Sequence, residues 1–168
     1  MKNISFIFLF IFSININFSQ SKISNINQDI LNSIEKHSSK LISISDEIWN
    51  LAETAFNEHK SSKILADYAI KNGFTVEMGV ADMPTAFVAT YGNGSPVISV
   101  LGEFDALPGI SQEAKPTKSP LVEGGAGHGC GHNLFGAGSL GAAIAIKELI
   151  ERGKISGTVK FFGTPSEE

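Results

Sequence analysis

The sequence predicts an α/β fold with a mixed sheet flanked by helices. Three observations carry this. Residues 134–150 are apolar almost all round and include Gly136, Gly138, Gly141 and several alanines, the pattern of a buried helix lying close against a sheet. Residues 97–104 and 158–163 are short apolar runs on either side of it, as expected of strands joined by a helix. Residues 74–80 and 85–91 are β-rich runs separated by the turn-like Ala81-Asp82-Met83-Pro84, which reads as an antiparallel hairpin.

From the N-terminus, Lys2 precedes an apolar run over residues 4–12, and the chain turns polar at Asn15, Asn17 and Ser19. This is the layout of a secretory signal peptide over residues 1–20, too short in its apolar part for a membrane span; an uncleaved anchor is the other reading. The mature chain, residues 21–168, is then expected to be exported to the periplasm or the extracellular space. Its length suits one domain.

Residues 23–55 read as helix. Ile30, Leu31, Ile34, Leu41, Ile44, Ile48 and Leu51 recur at three- and four-residue steps, and the serines around His37 allow a break there. Asn57 or Glu58 opens a second helix, closed by Asn72-Gly73. His37 and His59 lie on these helices without a partner at i+4 and read as solvated. The third strand, 97–104, is the more continuously apolar and so the more central. For the helix over residues 134–150, Asn133 is the expected N-cap, and Arg152-Gly153 the basic last turn and stop.

The formal charge of −4 and the lack of long basic runs exclude a nucleic-acid surface. Gly136-Ala137-Gly138-Ser139-Leu140-Gly141 fits a dinucleotide fingerprint, but it falls inside a helix and not at a strand-to-helix turn, so no nucleotide is expected.

Chemistry concentrates in Gly127-His128-Gly129-Cys130-Gly131-His132-Asn133 and the closing Glu167-Glu168. Thiolate, imidazole and carboxylate are the ligands zinc and its neighbours prefer, and Cys130 and His132, two apart, can aim at one point. A lone cysteine in an oxidising compartment is a buried thiol, an intermolecular bridge, a nucleophile or a metal ligand. The glycine-flanked histidines favour the ligand. Glu103 and Asp105, at i and i+2 near a strand's carboxyl end, share a face and are candidates for the same site. The long loop of residues 110–126 is of the kind that is functional or mobile.

Leu101-Gly102-Glu103-Phe104-Asp105-Ala106-Leu107-Pro108-Gly109, the glycine-flanked Cys130/His132 segment, and residues 157–168 resemble, in this order and spacing, the M20 metallopeptidase/amidohydrolase family. The resemblance covers nearly everything after the leader and is strongest to the aminobenzoyl-glutamate hydrolase branch. It implies a zinc-peptidase-like catalytic domain that hydrolyses the amide bond of N-acyl amino acids or small peptides. It implies a site for two divalent metals, zinc or else manganese or cobalt, with Cys130, His132 and Glu168 as ligands. Glu167 matches the family's general base, and Asp105 the acidic residue that supports the metal centre. Glu103 falls where peptidase branches carry a histidine ligand. The family continues beyond these motifs with further metal-binding histidines and a lid or dimerisation domain. The chain is therefore expected to be the N-terminal part of a homodimeric enzyme acting on a small N-acyl amino acid; a truncated product that binds metal weakly and catalyses nothing is the alternative.

Overall fold

The computed structural model describes residues 25–168 in full and residues 2–24 as backbone alone, so the leader expected over residues 1–20 lies outside the fully described residues. Helix α1 (Lys2–Leu51) leads into α2 (His59–Lys71), strands β1 (Thr75–Met78), β2 (Phe87–Asn93) and β3 (Val97–Glu103), helix α3 (His132–Glu151) and strand β4 (Gly157–Thr164). The sheet order is β1-β2-β4-β3. β1 pairs antiparallel with β2, β2 antiparallel with β4, and β3 parallel with β4, which makes the sheet mixed as expected.

The register sets up everything that follows. Glu103 lies opposite Thr164 in the parallel pair, so β3 and β4 deliver their carboxyl ends, and the residues after them, to the same end of the sheet. Helix α3 is the crossover between these strands. With α2 it covers one face of the sheet, and α1 packs over α3. The core between these layers is built from Ile44, Ile48, Leu65, Phe87, Leu140, Ile144, Val159 and Phe161.

Glycines let α3 come close. A Cβ on Gly136 would stand 2.5 Å from the Glu103 carbonyl oxygen, and one on Gly102 would stand 2.7 Å from the Phe161 ring. Of the glycines that imitate a nucleotide fingerprint, Gly136 serves helix-to-strand contact and seats the start of α3 directly over the end of β3, while Gly141 makes room for Leu41 of α1 and a Cβ on Gly138 would meet nothing within 4 Å.

Three expectations are corrected. The strand of residues 97–103 lies at an edge of the described sheet, paired with β4 alone, and β4 is the strand flanked on both sides, by β2 and β3. Val97, Ile98 and Leu101 are about half exposed. Asn133 is not the N-cap of α3. Gly131 holds that position at φ 94°, a left-handed value suited to glycine. Asn133 sits inside the first turn, buried, and its amide donates to Ser45 Oγ at 3.0 Å, tying α3 to α1.

The third correction is His37. Helix α1 runs through it without a break, and the ring is buried. Ser33, His37, Ile44 and Ile48 form one inward stripe at helical spacing, and polar residues in that stripe disguise it as surface. His37 Nδ1 lies 2.7 Å from the Tyr68 hydroxyl, and Nε2 lies 3.1 Å from Glu148 Oε1. Glu148 also takes Lys36 at 2.7 Å and Arg152 at 3.0 Å. His59 is exposed, as expected.

Burial pushes the Glu148 carboxyl up, but the hydrogen bonds from Lys36 and His37 outweigh it and hold the group at about 2, below the usual 4.5. A carboxyl whose pKa is lowered by folding stabilises the fold above its unfolded value and loses that contribution as pH falls through the folded one. The clasp of α1, α2 and α3 is thus expected to weaken between pH 4.5 and about 2. In acid-titrated thermal melts, Glu148→Gln should be less stable than wild type at neutral pH, by an amount on the order of 3 kcal/mol at most, and the gap should close across that window. A gap that stays constant across that window would show that ionisation of Glu148 is not what stabilises the clasp.

Candidate metal centre

Four segments converge at the carboxyl end of β3 and β4: the β3 end with Glu103 and Asp105, the turn with Cys130, the first residue of α3, His132, and the closing Glu167-Glu168. His132 is the hub. Its imidazole is buried, and Nδ1 lies 2.9 Å from Oδ1 of the buried Asp105. Asp105 accepts a hydrogen bond from Nδ1–H, which orients the ring and leaves Nε2 facing the cluster. Around Nε2 stand Glu103 Oε2 at 3.0 Å, Glu167 Oε2 at 3.8 Å and Glu168 Oε1 at 3.9 Å.

Two groups of ligand atoms have all members within 4.8 Å of one another: Cys130, His132 and Glu168, and Glu103, His132 and Glu167. The sequence-derived candidates Cys130, His132 and Glu168 are thus brought together, with Asp105 behind the histidine. Glu167 stands beside them with its side chain 55% exposed. Glu103, whose role the sequence leaves open, is inside the cluster. His128 is buried away from it, with Nε2 at 3.1 Å from the Ile48 carbonyl, in line with its lack of a ligand role in the family resemblance.

Four carboxylates and a thiol crowd one imidazole, and among the described residues no lysine or arginine is ion-paired to them. The electrostatics register the crowding. Partial burial, followed by the charges of Glu167, Asp105 and Glu168, raises the Glu103 carboxyl above its ordinary value against the lowering pull of His132. The Cys130 thiol is raised by its hydrogen bond to Glu168, with burial and the neighbouring carboxylates adding to the shift. A bound divalent cation would reverse both trends, since it favours the ionised form of every ligand. The donor set of sulfur, imidazole nitrogen and carboxylate oxygen fits such an ion.

The closing segment is itself braced. The Glu168 N–H donates to Asp105 Oδ2 at 3.0 Å, and the Ser166 N–H donates to Oε1 of the fully buried Glu58 at 3.0 Å. From the sequence, Glu58 reads only as a helix opener. An acidic residue before a helix ordinarily reads as a solvated cap, and nothing local signals a partner more than a hundred residues away.

Comparison with known proteins agrees with this geometry. Residues 100–168 match the model of peptidase family M20/M25/M40. The chain is 44% identical over 149 residues to a subunit of the p-aminobenzoyl-glutamate hydrolase of Escherichia coli, across 87% of this chain and 31% of that protein. It is 29% identical over 143 residues to thermostable carboxypeptidase 2 of Saccharolobus solfataricus, across 84% of this chain and 35% of that one. Among solved structures, a dinuclear metal-binding peptidase of the M20 family from Bacillus subtilis superimposes with a TM-score of 0.66 at 26% identity, over 79% of this chain and 36% of its own. The chain spans about a third of the length of the curated relatives it matches.

Proposed function

Because this chain belongs to the M20 family of metallopeptidases and amidohydrolases, we propose that it forms one wall of the active site of a metal-dependent hydrolase that cleaves the amide bond of N-acyl amino acids of the aminobenzoyl-glutamate type. The observation that carries this reading is His132. Its Nδ1 is locked on buried Asp105, and its Nε2 is turned to a thiol and three carboxylates that, among the described residues, have no lysine or arginine ion-paired to them. Cys130, His132 and Glu168 would hold the metal, with Glu103 beside them and a second ion in the same cluster. Zinc, manganese and cobalt all suit these donors.

When bound, the metal polarises the scissile carbonyl and makes water acidic enough to ionise near neutral pH. The chain's residues do the rest. Asp105 holds the His132 ring with Nε2 aimed at the cluster. Glu167, exposed on the open side of the cluster, accepts the proton of the attacking water and hands it to the leaving amine nitrogen. Glu167 and Glu168 both reach toward His132 Nε2, at 3.8 and 3.9 Å, but Glu167 is the more exposed of the two, so Glu168 can face the metal while Glu167 meets substrate.

The test is direct. The longest open reading frame containing this chain is expressed and assayed on p-aminobenzoyl-glutamate, before and after chelation. Hydrolysis should disappear with chelation and return on adding Zn²⁺, Mn²⁺ or Co²⁺, to differing degrees. Hydrolysis indifferent to chelators would remove the metal from the reading, and inactivity on every N-acyl amino acid tried would remove the substrate class.

A further inference from the structure

We propose that Glu58 is a positioning residue for Glu167: its buried carboxylate pins the turn that carries the Glu167-Glu168 pair. The inference rests on the reading of Glu167 as the base. Glu58 is 0% exposed, and among the described residues no cationic group pairs with it. A buried carboxylate without a counter-charge is tolerated only where hydrogen bonds satisfy it. Its two bonds are informative. Oε1 accepts the Ser166 N–H at 3.0 Å, and Oε2 accepts the Thr85 hydroxyl at 3.1 Å. Thr85 is fixed in turn, because its carbonyl accepts the Ser62 hydroxyl at 2.7 Å.

Ser166 has φ 58°, a left-handed conformation that a side-chain-bearing residue adopts only when its surroundings impose it. The Glu58 carboxylate holds the N–H of this residue. Two residues on, the Glu168 N–H is held by Asp105 Oδ2 at 3.0 Å. Glu167 is therefore suspended between two backbone amides, each anchored on a buried carboxylate. Asp105 belongs to the metal centre; Glu58 touches none of the cluster and acts only through the turn.

The segment that carries Glu58 braces the other side of the site too. The Glu53 carbonyl accepts the N–H of Ala106, next to Asp105, at 2.8 Å. The Glu53 carboxylate accepts the Lys60 and Ser61 N–H groups at 3.1 and 2.8 Å, which fixes this turn on the start of α2. One short turn between α1 and α2 thus references the ends of both strands that build the site. General-base catalysis is sensitive to such referencing, since a misplacement of about 1 Å can cost about 100-fold.

The experiment uses the full-length, metal-loaded enzyme with variants at Glu58, alone and combined with Glu167→Gln. Glu58→Ala should lower kcat by about 100-fold, with KM and bound metal close to wild type. Glu58→Gln keeps an acceptor for Ser166 and turns its amide nitrogen toward the Thr85 oxygen, which can accept as well as donate, so it should restore kcat to within a few-fold of wild type. In the Glu167→Gln background, Glu58→Ala should cost little more. Full kcat in Glu58→Ala, an equal loss in both backgrounds, or a Glu58→Gln as impaired as the alanine variant would each overturn the proposal. A loss of melting temperature alone, with kcat per folded molecule unchanged, would assign Glu58 to stability and overturn it too. Should the alanine variant not fold, Glu58→Asp withdraws the carboxylate from Ser166 by one methylene and is read by the same criteria. A fully active Glu167→Gln enzyme would instead overturn the base assignment, a result visible without any Glu58 variant.

Discussion

Glu167→Gln is expected to lower turnover by about 10²–10⁴-fold while leaving bound metal nearly unchanged. The reason is where Glu167 stands. In the ligand group of Cys130, His132 and Glu168, Glu167 is not needed, yet its carboxylate oxygen is only 3.8 Å from His132 Nε2 and its side chain is 55% exposed on the open side. A group so placed can reach a water next to the metal and still meet substrate. Glutamine has the same size and keeps one acceptor oxygen, but it cannot take a proton. The cost should fall on kcat, because the lost interaction is made as the proton moves and not when substrate binds. Steady-state kinetics on p-aminobenzoyl-glutamate, with metal content measured on the same samples, decide the point. Undiminished kcat would remove Glu167 as base, and a parallel fall in metal content would make it a ligand.

Much of this arrangement can be read from residue order because the controlling signals are local. The buried character of α3 is written in its own composition, and the four strands are bounded by their own turn residues, so their positions in the chain agree with expectation to within a few residues. Cys130 and His132 are two apart, and their convergence needs only a tight turn at Gly131. What cannot be read depends on pairing between distant segments. That β3 pairs with β4 and not with β2, and so lies at an edge of the described sheet, is a matter of pairing that no property of residues 97–103 records. Asn133 looks like a cap in isolation. It is displaced because Gly131 turns the chain two residues earlier and Ser45 on α1 offers the amide a partner. His37 and Glu58 mislead for one shared reason. Both are polar groups buried on partners far along the chain, Tyr68 and Glu148 for one, Thr85 and Ser166 for the other, and a polar residue without a visible partner reads as surface.

Cys130→Ala is expected to lower bound metal and activity together. Replacing a residue that only orients a ligand typically costs about 10–100-fold in metal affinity or activity. Loss of a charged ligand itself should exceed the upper end of that range. The structure supplies a sharp contrast for this test, because two ligand groups share His132: Cys130 with Glu168, and Glu103 with Glu167. If the first group holds the ion that matters for catalysis, removing the thiol strips that ion, and Glu103→Gln does so less. If the second group holds it, Cys130→Ala keeps its metal, and Glu167 becomes a ligand whose replacement by glutamine drains the site. The two substitutions therefore check each other. Metal loss in Cys130→Ala with retention in Glu167→Gln supports the thiol as ligand and Glu167 as base. The reverse pattern would exchange their roles and leave the enzyme without the base proposed for it. Metal retained in both would mean that neither side chain is needed to hold the ion. Metal analysis after exhaustive dialysis, followed by titration back with Zn²⁺ and Mn²⁺, separates these outcomes without relying on turnover.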